Sequence, residues 1–352
     1  MKISYMLKRE DFYAINERTL KTFYRDATKK RRLYIYPELN AIVTARPSRA
    51  VRNYLYTEFR VGGSPIKRFL VWLYARVLLN SGGLLATKSI KLNTDADHNV
   101  LIYPCNRKYR IFDFAKGVVS VVAKDGFPKG GLMNEIAFRT EVAADFVPGL
   151  VGSHAEGYTE RIIDGCPVAR MGDKTEALSA KAFSIWSDYI APHIQSIPAA
   201  QWGDEQEARI NGLLKRVEEL GKAIRTQNLR ELVQQLAAVL RNCDGLVPVG
   251  LSHGDLQPGN IWLENRTDKL YIIDWESGEK RSVWYDRALL FEGLRRDDGL
   301  RAYAGCRDLT HATVLLEDVV FRLVELCELP EDYGCKEFDA YVETLLEGVN
   351  YV

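Results

Sequence analysis

Three side chains that carry oxygen ligands lie close together in this sequence: Asp255, Asn260 and Asp274. The first two belong to the segment HGDLQPGN and are five positions apart across a Pro-Gly turn, and the third ends the apolar run YIID. Taken singly, these pieces are ordinary turn material, because Gly, Pro, Asn and Asp are common loop residues. In combination they can direct two carboxylates and one amide oxygen into one space.

The elements around these residues are predicted to bring them together. The strand IWLE pairs with LYIID through the turn NRTD, which returns Asp274 to the end of the hairpin where Asp255 and Asn260 lie. Oxygen ligands of this kind suit Mg²⁺, which binds few protein groups and keeps phosphates and water in the rest of its shell. In phosphoryl transfer one carboxylate accepts the proton of the attacking hydroxyl, while an amide and a second carboxylate hold the metal. Asp255 fits the first role, and Asn260 and Asp274 fit the second.

The surrounding pattern predicts an α+β, two-lobed fold. Three strand-like runs, NVLIYP, YRIFDF and VVSVVAK, suggest an antiparallel meander, and GLMNEIAFRTEVAADF has helical spacing. Two further short strands, VPGLVGSH and YTERIIDG, follow. Beyond residue 173 helical patterns dominate, except around the polar motif. We therefore predict a small antiparallel-sheet lobe over 96–168 and a mostly helical lobe over 169–352, preceded by a basic, mostly helical extension over 1–95.

Charge is distributed unevenly along the chain. Residues 1–95 hold 19 Lys and Arg against 7 Asp and Glu, although the whole chain has a net charge of +1. The excess predicts contact with the acidic remainder of the chain or with an anionic partner such as a membrane surface. Within it, the run IKRFLVWLYARVLL is too short and too charged to span a bilayer. Because its charges do not share one side of a helix, we favour a buried helix, with a helix on the membrane surface as the alternative.

The remaining composition favours a cytoplasmic protein. The six cysteines are scattered without a C-x-x-C pair, and the N-terminus has no long apolar core of a signal peptide. A peripheral position at the inner face of the membrane is the alternative, suggested by the basic N-terminal third.

The spacing D-x-x-x-x-N, followed by an aspartate that ends an apolar strand, is typical of a kinase catalytic loop. The segments HGDLQPGN, IIDWE and YDRA together resemble the aminoglycoside phosphotransferase and choline kinase family, a branch of the protein-kinase-like fold. The resemblance covers roughly residues 98–300. It implies ATP and Mg²⁺ as cofactors and transfer of the γ-phosphoryl group to an alcohol.

The resemblance also implies roles for residues outside the loop. Lys124 matches the strand lysine that contacts the nucleotide phosphates and pairs with a helix glutamate, here Glu135. Lys116, Lys129 and Glu141 are rivals for these two positions. The segment ERIIDG resembles the hinge whose backbone meets adenine, at Arg161 and Ile163, and His253 and Asp286 match positions that brace the catalytic loop.

One departure from the family concerns the phosphate-covering loop, which would fall at YPCNRK and contains no glycine. Glycine usually allows close approach of the backbone to phosphates. We expect Arg107 and Lys108 to supply charge there instead.

The acceptor is predicted to be a small molecule or a glycan. Protein kinases place an arginine before the catalytic aspartate and a lysine or arginine two positions after it, where this chain has Gly254 and Gln257. The eleven residues between Asp274 and Asp286 leave no room for an activation segment. A sugar hydroxyl of a cell-surface or lipid-linked glycan is favoured, with an aminoglycoside or choline-type amino alcohol as the alternative. Candidate acceptor-binding residues are Gln257, Glu276 and Glu292.

Three other classes remain open. A nucleotide-binding pseudokinase with a regulatory or scaffolding role is suggested by the glycine-poor loop, although Asp255, Asn260 and Asp274 are retained. A metal-dependent phosphohydrolase is disfavoured, since none of the five histidines sits at a ligand spacing from another. A nucleic-acid binder is suggested only by the KKRR run, and no nucleic-acid partner is expected because no recognition module is present.

Overall fold

The computed structural model describes residues 12–58, 64–105, 107–142, 144–306, 308–329 and 334–350. The chain divides into two compact units. One comprises residues 1–143 and 148–164, and the other comprises residues 144–147 and 165–352. The predicted α+β class, with an antiparallel-sheet part followed by a mostly helical part, is confirmed.

An antiparallel sheet of eight strands, in the order β3-β1-β2-β4-β5-β6-β8-β7, forms the centre of the first unit. Its strands are β1 (Lys30–Tyr36), β2 (Ala41–Val43), β3 (Lys88–Asn93), β4 (Val100–Pro104), β5 (Lys108–Asp113), β6 (Val118–Ala123), β7 (Leu150–His154) and β8 (Gly157–Arg161). The helices of this unit are α1 (Phe12–Phe23), α2 (Arg49–Glu58), α3 (Pro65–Asn80) and α4 (Gly130–Glu141).

The predicted helical extension over 1–95 is not separate from the sheet. Its strands β1, β2 and β3 continue the sheet beyond β4, to which β2 is joined at the pair Ile42 and Ile102. The buried residues Leu33 and Ile35 of β1 are separated by the partly buried Tyr34, and Ile90 and Leu92 of β3 are separated by the exposed Lys91. Leu33 lies opposite Ile90 in the pair. Such a pattern is typical of antiparallel strands that have one face packed on the core and the other face in contact with solvent. The run of basic residues at the start of β1 and the lysines of β3 concealed this pattern in the sequence.

The two faces of the sheet are covered by different helices. On one face, Tyr109, Ile111 and Val122 pack in a cluster with Phe12 and Leu20 of α1. On the other face, Val119 packs with residues of α2 and α3, and Val121 packs with Leu132 and Ile136 of α4. Because successive side chains of a strand point to opposite faces, neighbouring residues of β5 and β6 have quite different surroundings.

Helix α3 differs from the prediction of a buried helix. Ser64 caps its first turn by accepting a hydrogen bond from the Lys67 amide, and Pro65 occupies the first helical position. Only Ala75, Leu78 and Leu79 of this helix are buried, and they pack against the sheet. Most of its other apolar side chains are exposed. Among the described residues, no helix is both long and apolar enough to cross a membrane.

The second unit is mostly helical. Its helices are α5 (Thr175–Ile190), α6 (Ala199–Glu219), α7 (Thr226–Arg241), α8 (Val283–Phe291), α9 (Asp297–Ala304), α10 (Leu309–Glu328) and α11 (Cys335–Asn350). Two three-stranded sheets accompany them: β10 (Gln195–Pro198), β11 (Leu246–Ser252) and β14 (Glu279–Ser282), and β13 (Leu270–Ile272), β12 (Ile261–Glu264) and β9 (Gly165–Pro167). Helix α10 is central, and its Leu315, Leu316 and Val319 are fully buried in the core of this unit.

A buried carboxyl group joins helix α10 to the start of α8. Glu317 accepts hydrogen bonds from the Ser282 amide (2.6 Å), the Ser282 hydroxyl (2.7 Å) and the Trp202 indole (3.1 Å). Burial raises the pKa of Glu317 to about 7, although the Ser282 hydrogen bonds oppose this rise. Near neutral pH, part of the population therefore carries an ionised carboxylate in the core.

This pKa predicts that the protein becomes less stable as pH rises from about 4.5 to about 7. In that window the folded state binds more protons than the unfolded state, so raising the pH favours unfolding, at a cost on the order of 3 kcal/mol from this group. Glu317→Gln keeps acceptor and donor atoms for the same partners without a charge. Thermal unfolding midpoints between pH 5 and pH 8 should fall less in this variant than in wild type. Equal pH dependence in wild type, Glu317→Gln and the exposed control Glu176→Gln would contradict the assignment.

Candidate active site

The loop HGDLQPGN leaves strand β11 through a backbone conformation that requires glycine. Gly254 has a φ of 78°, and a Cβ at this position would lie 2.3 Å from the Ser277 carbonyl oxygen and 2.4 Å from Nη1 of Arg281. The Arg281 guanidinium is itself held by the Ser277 carbonyl (2.9 Å) and the Glu279 carboxylate (2.6 Å). The position before Asp255 therefore excludes any larger side chain, including the arginine found there in protein kinases.

Asp255 is partly buried and is held by two amide side chains. The Asn260 amide nitrogen donates to Oδ2 of Asp255 (3.1 Å) and to its backbone carbonyl (2.8 Å), and Gln257 Nε2 donates to Oδ1 (2.5 Å). These contacts leave the carboxylate little freedom to rotate. Because the Asn260 amide nitrogen is engaged in this way, its oxygen remains available as an acceptor or ligand.

Asp286, near the start of α8, fixes the backbone of the loop. Its carboxylate accepts hydrogen bonds from the amides of His253 (2.8 Å) and Gly254 (3.0 Å) and from the indole of Trp186 (3.2 Å). The carboxylate is almost fully buried. It therefore satisfies donors immediately before Asp255 that would otherwise lie unpaired in the interior.

His253 connects the loop to the hairpin that carries Asp274. The Asp255 amide donates to Nδ1 of His253 (3.2 Å), so Nε2 bears the ring proton and donates to the Ile273 carbonyl (3.0 Å). The imidazole also lies 4.4 Å from the Trp275 ring, centroid to centroid. This buried histidine therefore links the loop to the segment that carries Asp274.

Asp274 follows β13 in a left-handed conformation, with a φ of 71°. The hairpin pairs Ile261 with Ile272, and the Ile273 amide donates to the Asn260 carbonyl (2.9 Å). The negative charge of Asp274 contributes to raising the pKa of Asp255, as expected of two carboxylates in one neighbourhood. The hairpin thus returns Asp274 to the loop, as the sequence predicted, and a non-glycine residue at positive φ is typical of functional sites.

These residues fit a Mg²⁺ ion that is also bound by phosphates. Asn260 and Asp274 offer an amide oxygen and a carboxylate, the hard oxygen ligands that Mg²⁺ prefers. Over the described residues there is no group of three or more His, Cys, Asp or Glu that could hold a metal alone. The donor set suits an ion that takes most of its shell from a nucleotide and water rather than from the protein.

The pKa of Asp255 is raised, chiefly by burial and also by Asp274, while the positive charge of Arg295 opposes the rise. Arg295 was not identified from the sequence. Its guanidinium lies 3.4 Å from the Asp318 carboxylate and donates a hydrogen bond to the Tyr285 hydroxyl (3.2 Å). It also stacks on the Phe321 ring. In the sequence, Arg295 begins the charged run RRDD, which is typical of a solvent-exposed surface. In the structure it is largely buried, because its guanidinium pairs with the buried Asp318 of α10.

In the first unit, Glu135 of α4 pairs with Lys108 and not with Lys124. Lys108 Nζ lies 3.7 Å from Glu135 Oε2, and Arg139 lies 3.5 Å from Oε1 of the same carboxylate. Lys108 begins β5 and is paired in register with Ala123, which faces α4. Both members of the ion pair are buried.

Lys124 lies on the opposite face of the sheet. It follows Val122 by two positions, and its Nζ is 5.1 Å from the Tyr109 ring centroid and 6.0 Å from that of Phe12 on α1. Burial lowers the pKa of Lys124 to about 8. The predicted pairing of Lys124 with Glu135 is corrected accordingly, because a shift of one position along a strand places a side chain on the other face.

The other candidate residues occupy more ordinary positions. The Lys124 amide donates a hydrogen bond to the Arg107 carbonyl (2.9 Å), and the Cys105 amide donates to the Lys108 carbonyl (2.8 Å). These backbone hydrogen bonds hold both ends of the connection between β4 and β5, where the phosphate-covering loop was predicted.

Arg161 ends β8 opposite Val118, and Ile163 follows outside regular structure. Glu276 is partly buried just after Asp274, and Glu292 is exposed and bonds Arg287 (3.2 Å). The rivals Lys116, Lys129 and Glu141 are exposed.

Comparison with known proteins gives one family match. Residues 190–312, which include the loop, Asp274 and Asp286, match the family described as the phosphotransferase enzyme family, APH. This match confirms the resemblance predicted from the catalytic-loop sequence. No curated protein is similar enough to the chain to count as a match.

Several solved structures are distantly similar. A choline/ethanolamine kinase family protein from Mesorhizobium loti has 13% identity and a TM-score of 0.45, covering 72% of this chain and 87% of its own. Plasmodium vivax ethanolamine kinase has 13% identity and a TM-score of 0.44, covering 89% and 98%. Choline kinase from Cryptosporidium parvum has 10% identity and a TM-score of 0.45, covering 72% and 89%. Likenesses at this level do not identify a substrate.

Proposed function

We propose that the chain, which matches the phosphotransferase enzyme family over residues 190–312, is a kinase that transfers the γ-phosphoryl group of ATP to an alcohol. The observation that carries this proposal is the carboxylate of Asp255, oriented by Asn260 and Gln257 and raised in pKa by burial. A general base works best when its pKa lies nearer the working pH and its geometry is fixed.

In the proposed reaction the acceptor hydroxyl gives its proton to Asp255 while its oxygen forms a bond to the γ-phosphorus and ADP leaves. Asn260 and Asp274 would hold Mg²⁺, which neutralises charge on the phosphate oxygens when it is bound. Asp286 and His253 keep the loop in place without taking part in the transfer. The chemistry needs no covalent intermediate on the protein.

The favoured acceptor is a sugar hydroxyl of a cell-surface or lipid-linked glycan. The basic N-terminal third supports an acceptor that is found at an anionic surface. Arg295 also favours an uncharged acceptor over a cationic one. Its positive charge interacts with the Asp255 carboxylate and would repel a cation bound beside that group. An aminoglycoside or amino-alcohol acceptor is the second candidate, and it would need acidic side chains such as Glu276 to outweigh that charge.

The acceptor class can be tested with γ-labelled ATP in a lysate of the source cells, separated into lipid, glycan, protein and small-molecule fractions. We expect label in the glycan or lipid fraction with wild type and none above background with Asp255→Asn. Label in the small-molecule fraction would favour the amino-alcohol or aminoglycoside candidate. Equal labelling by both proteins, together with Mg-ATP binding, would support a pseudokinase.

We further propose that Lys108, and not Lys124, contacts the nucleotide phosphates, because Lys108 is the strand lysine that pairs with Glu135. Lys108→Met should weaken ATP binding in the presence of Mg²⁺ by about tenfold or more, since a charge-assisted contact is lost. The matched variant Lys124→Met should change the Kd little, because Lys124 lies among aromatic rings on the other face. Isothermal titration calorimetry measures both. The reverse pattern would restore the assignment to Lys124.

A further inference from the structure

Helix α3 carries an exposed apolar stripe bordered by cations. Its apolar side chains at six positions are between 41% and 73% exposed: Ile66, Phe69, Leu70, Leu73, Tyr74 and Val77. At about 100° per residue these positions fill one arc of about 140°. Lys67 and Arg76 lie about 20° beyond its two edges, and the buried Ala75, Leu78 and Leu79 lie on the far side. A stripe of this size on the surface marks an interaction site.

The stripe continues into the turn that follows the helix. Leu84 is 88% exposed and Leu85 is 52% exposed. Between the two elements, Gly83 adopts a φ of 92° and packs so closely on Tyr34 that an added Cβ would lie 2.2 Å from the ring. Tyr34 therefore joins the apolar stripe to strand β1, which begins with three of the four residues of the KKRR run.

Tyr34 also lines an open cavity of about 450 Å³ whose charged residues are all basic. Arg31 and Arg32 of β1, Arg46 after β2 and His98 before β4 contribute to its walls. Within the described part of the chain, none of the three arginines is in an ion pair. Arg32 is also paired in register with Lys91 of β3, a placement of like charges that is unfavourable without an anion nearby.

We propose that α3 and this basic cavity together dock on an anionic lipid bilayer, the helix with its apolar stripe in the interface and the arginines on lipid phosphates. An amphipathic helix that lies in the membrane plane needs an apolar face, cations at its borders and no carboxylates there. Residues 59–94 contain six lysines and arginines and no aspartate or glutamate. A protein partner would not require this complete exclusion of acidic residues, which favours the bilayer as occupant. The inference does not depend on the identity of the acceptor.

Co-sedimentation of the full chain with vesicles tests the proposal. Binding to vesicles of phosphatidylcholine with phosphatidylglycerol should exceed binding to phosphatidylcholine alone by about tenfold or more, and added salt should reduce it. Phe69→Ser with Leu73→Ser should lower the binding by about tenfold or more through lost apolar contact. Arg31→Glu with Arg46→Glu should lower it similarly through lost charge.

The controls separate docking from folding and from catalysis. Leu246 is 56% exposed in the second unit, so Leu246→Ser is a matched loss of exposed apolar surface that should leave binding unchanged. Asp255→Asn should bind vesicles as wild type does. Phosphoryl transfer without vesicle binding would overturn the docking surface alone, whereas binding without transfer would overturn the proposed function alone. A dimer in sedimentation equilibrium that Leu73→Ser dissociates, with no vesicle binding, would assign the stripe to a second copy of the chain and overturn the proposal.

Discussion

Replacing Asp255 by asparagine is expected to lower the rate of phosphoryl transfer by about two to four orders of magnitude, the usual contribution of a positioned general base. Asparagine has the same shape and keeps an oxygen for one of the two amide donors that now hold the carboxylate, Asn260 at 3.1 Å and Gln257 at 2.5 Å. The Gln257 amide can turn its own oxygen toward the new amide nitrogen. The loop should therefore stay folded while the proton acceptor is lost. The rate can be followed as ATP turnover with the acceptor fraction, and as slow hydrolysis without it.

Two comparisons make this result specific. Asp297→Asn removes an exposed carboxylate from α9 and should leave the rate unchanged. The Kd for Mg-ATP should change little in Asp255→Asn, because the metal is assigned to Asn260 and Asp274. Retention of more than a tenth of the wild-type rate would show that Asp255 is not the base.

Replacing Asp286 by alanine is expected to reduce the free energy of unfolding by about 3–5 kcal/mol, since three buried donors lose their acceptor. These donors are the amides of His253 and Gly254 and the Trp186 indole. Transfer activity should fall as well, because the two amides belong to the loop that positions Asp255. Urea-induced unfolding measures the first effect, and hydrogen exchange of the loop amides measures the second.

The exposed residue Asp188 on α5 provides the control. Asp188→Ala should change stability by no more than about 0.5 kcal/mol. If Asp286→Ala abolished transfer while leaving stability and amide exchange unchanged, Asp286 would act in the reaction itself and its assignment as a brace would be wrong.

The sequence alone was sufficient to predict the turn between Asp255 and Asn260 and the hairpin that precedes Asp274 in the second unit. Asp255 and Asn260 are separated by a short turn, and Asp274 is returned by a hairpin of a few residues, so local chain geometry largely determines where they meet. Gly254 could be recognised as a departure from protein kinases by its residue type, and the structure adds the steric reason, since a Cβ there would meet the Ser277 carbonyl oxygen. The α+β class followed from the change between strand and helix periodicities.

Only the tertiary structure decided which lysine pairs with Glu135 and which charge lies near Asp255. Lys108 begins β5, and Lys124 directly follows the neighbouring strand β6. The face of the sheet on which each side chain lies depends on the strand register, and the sequence pattern does not determine that register to within one residue. Arg295 reaches the site through its packing on α10, a contact between segments distant in the chain. The strands of the N-terminal third were hidden for a related reason. These strands are short and rich in lysine and arginine, and which of their side chains are buried depends on the face that the rest of the sheet covers.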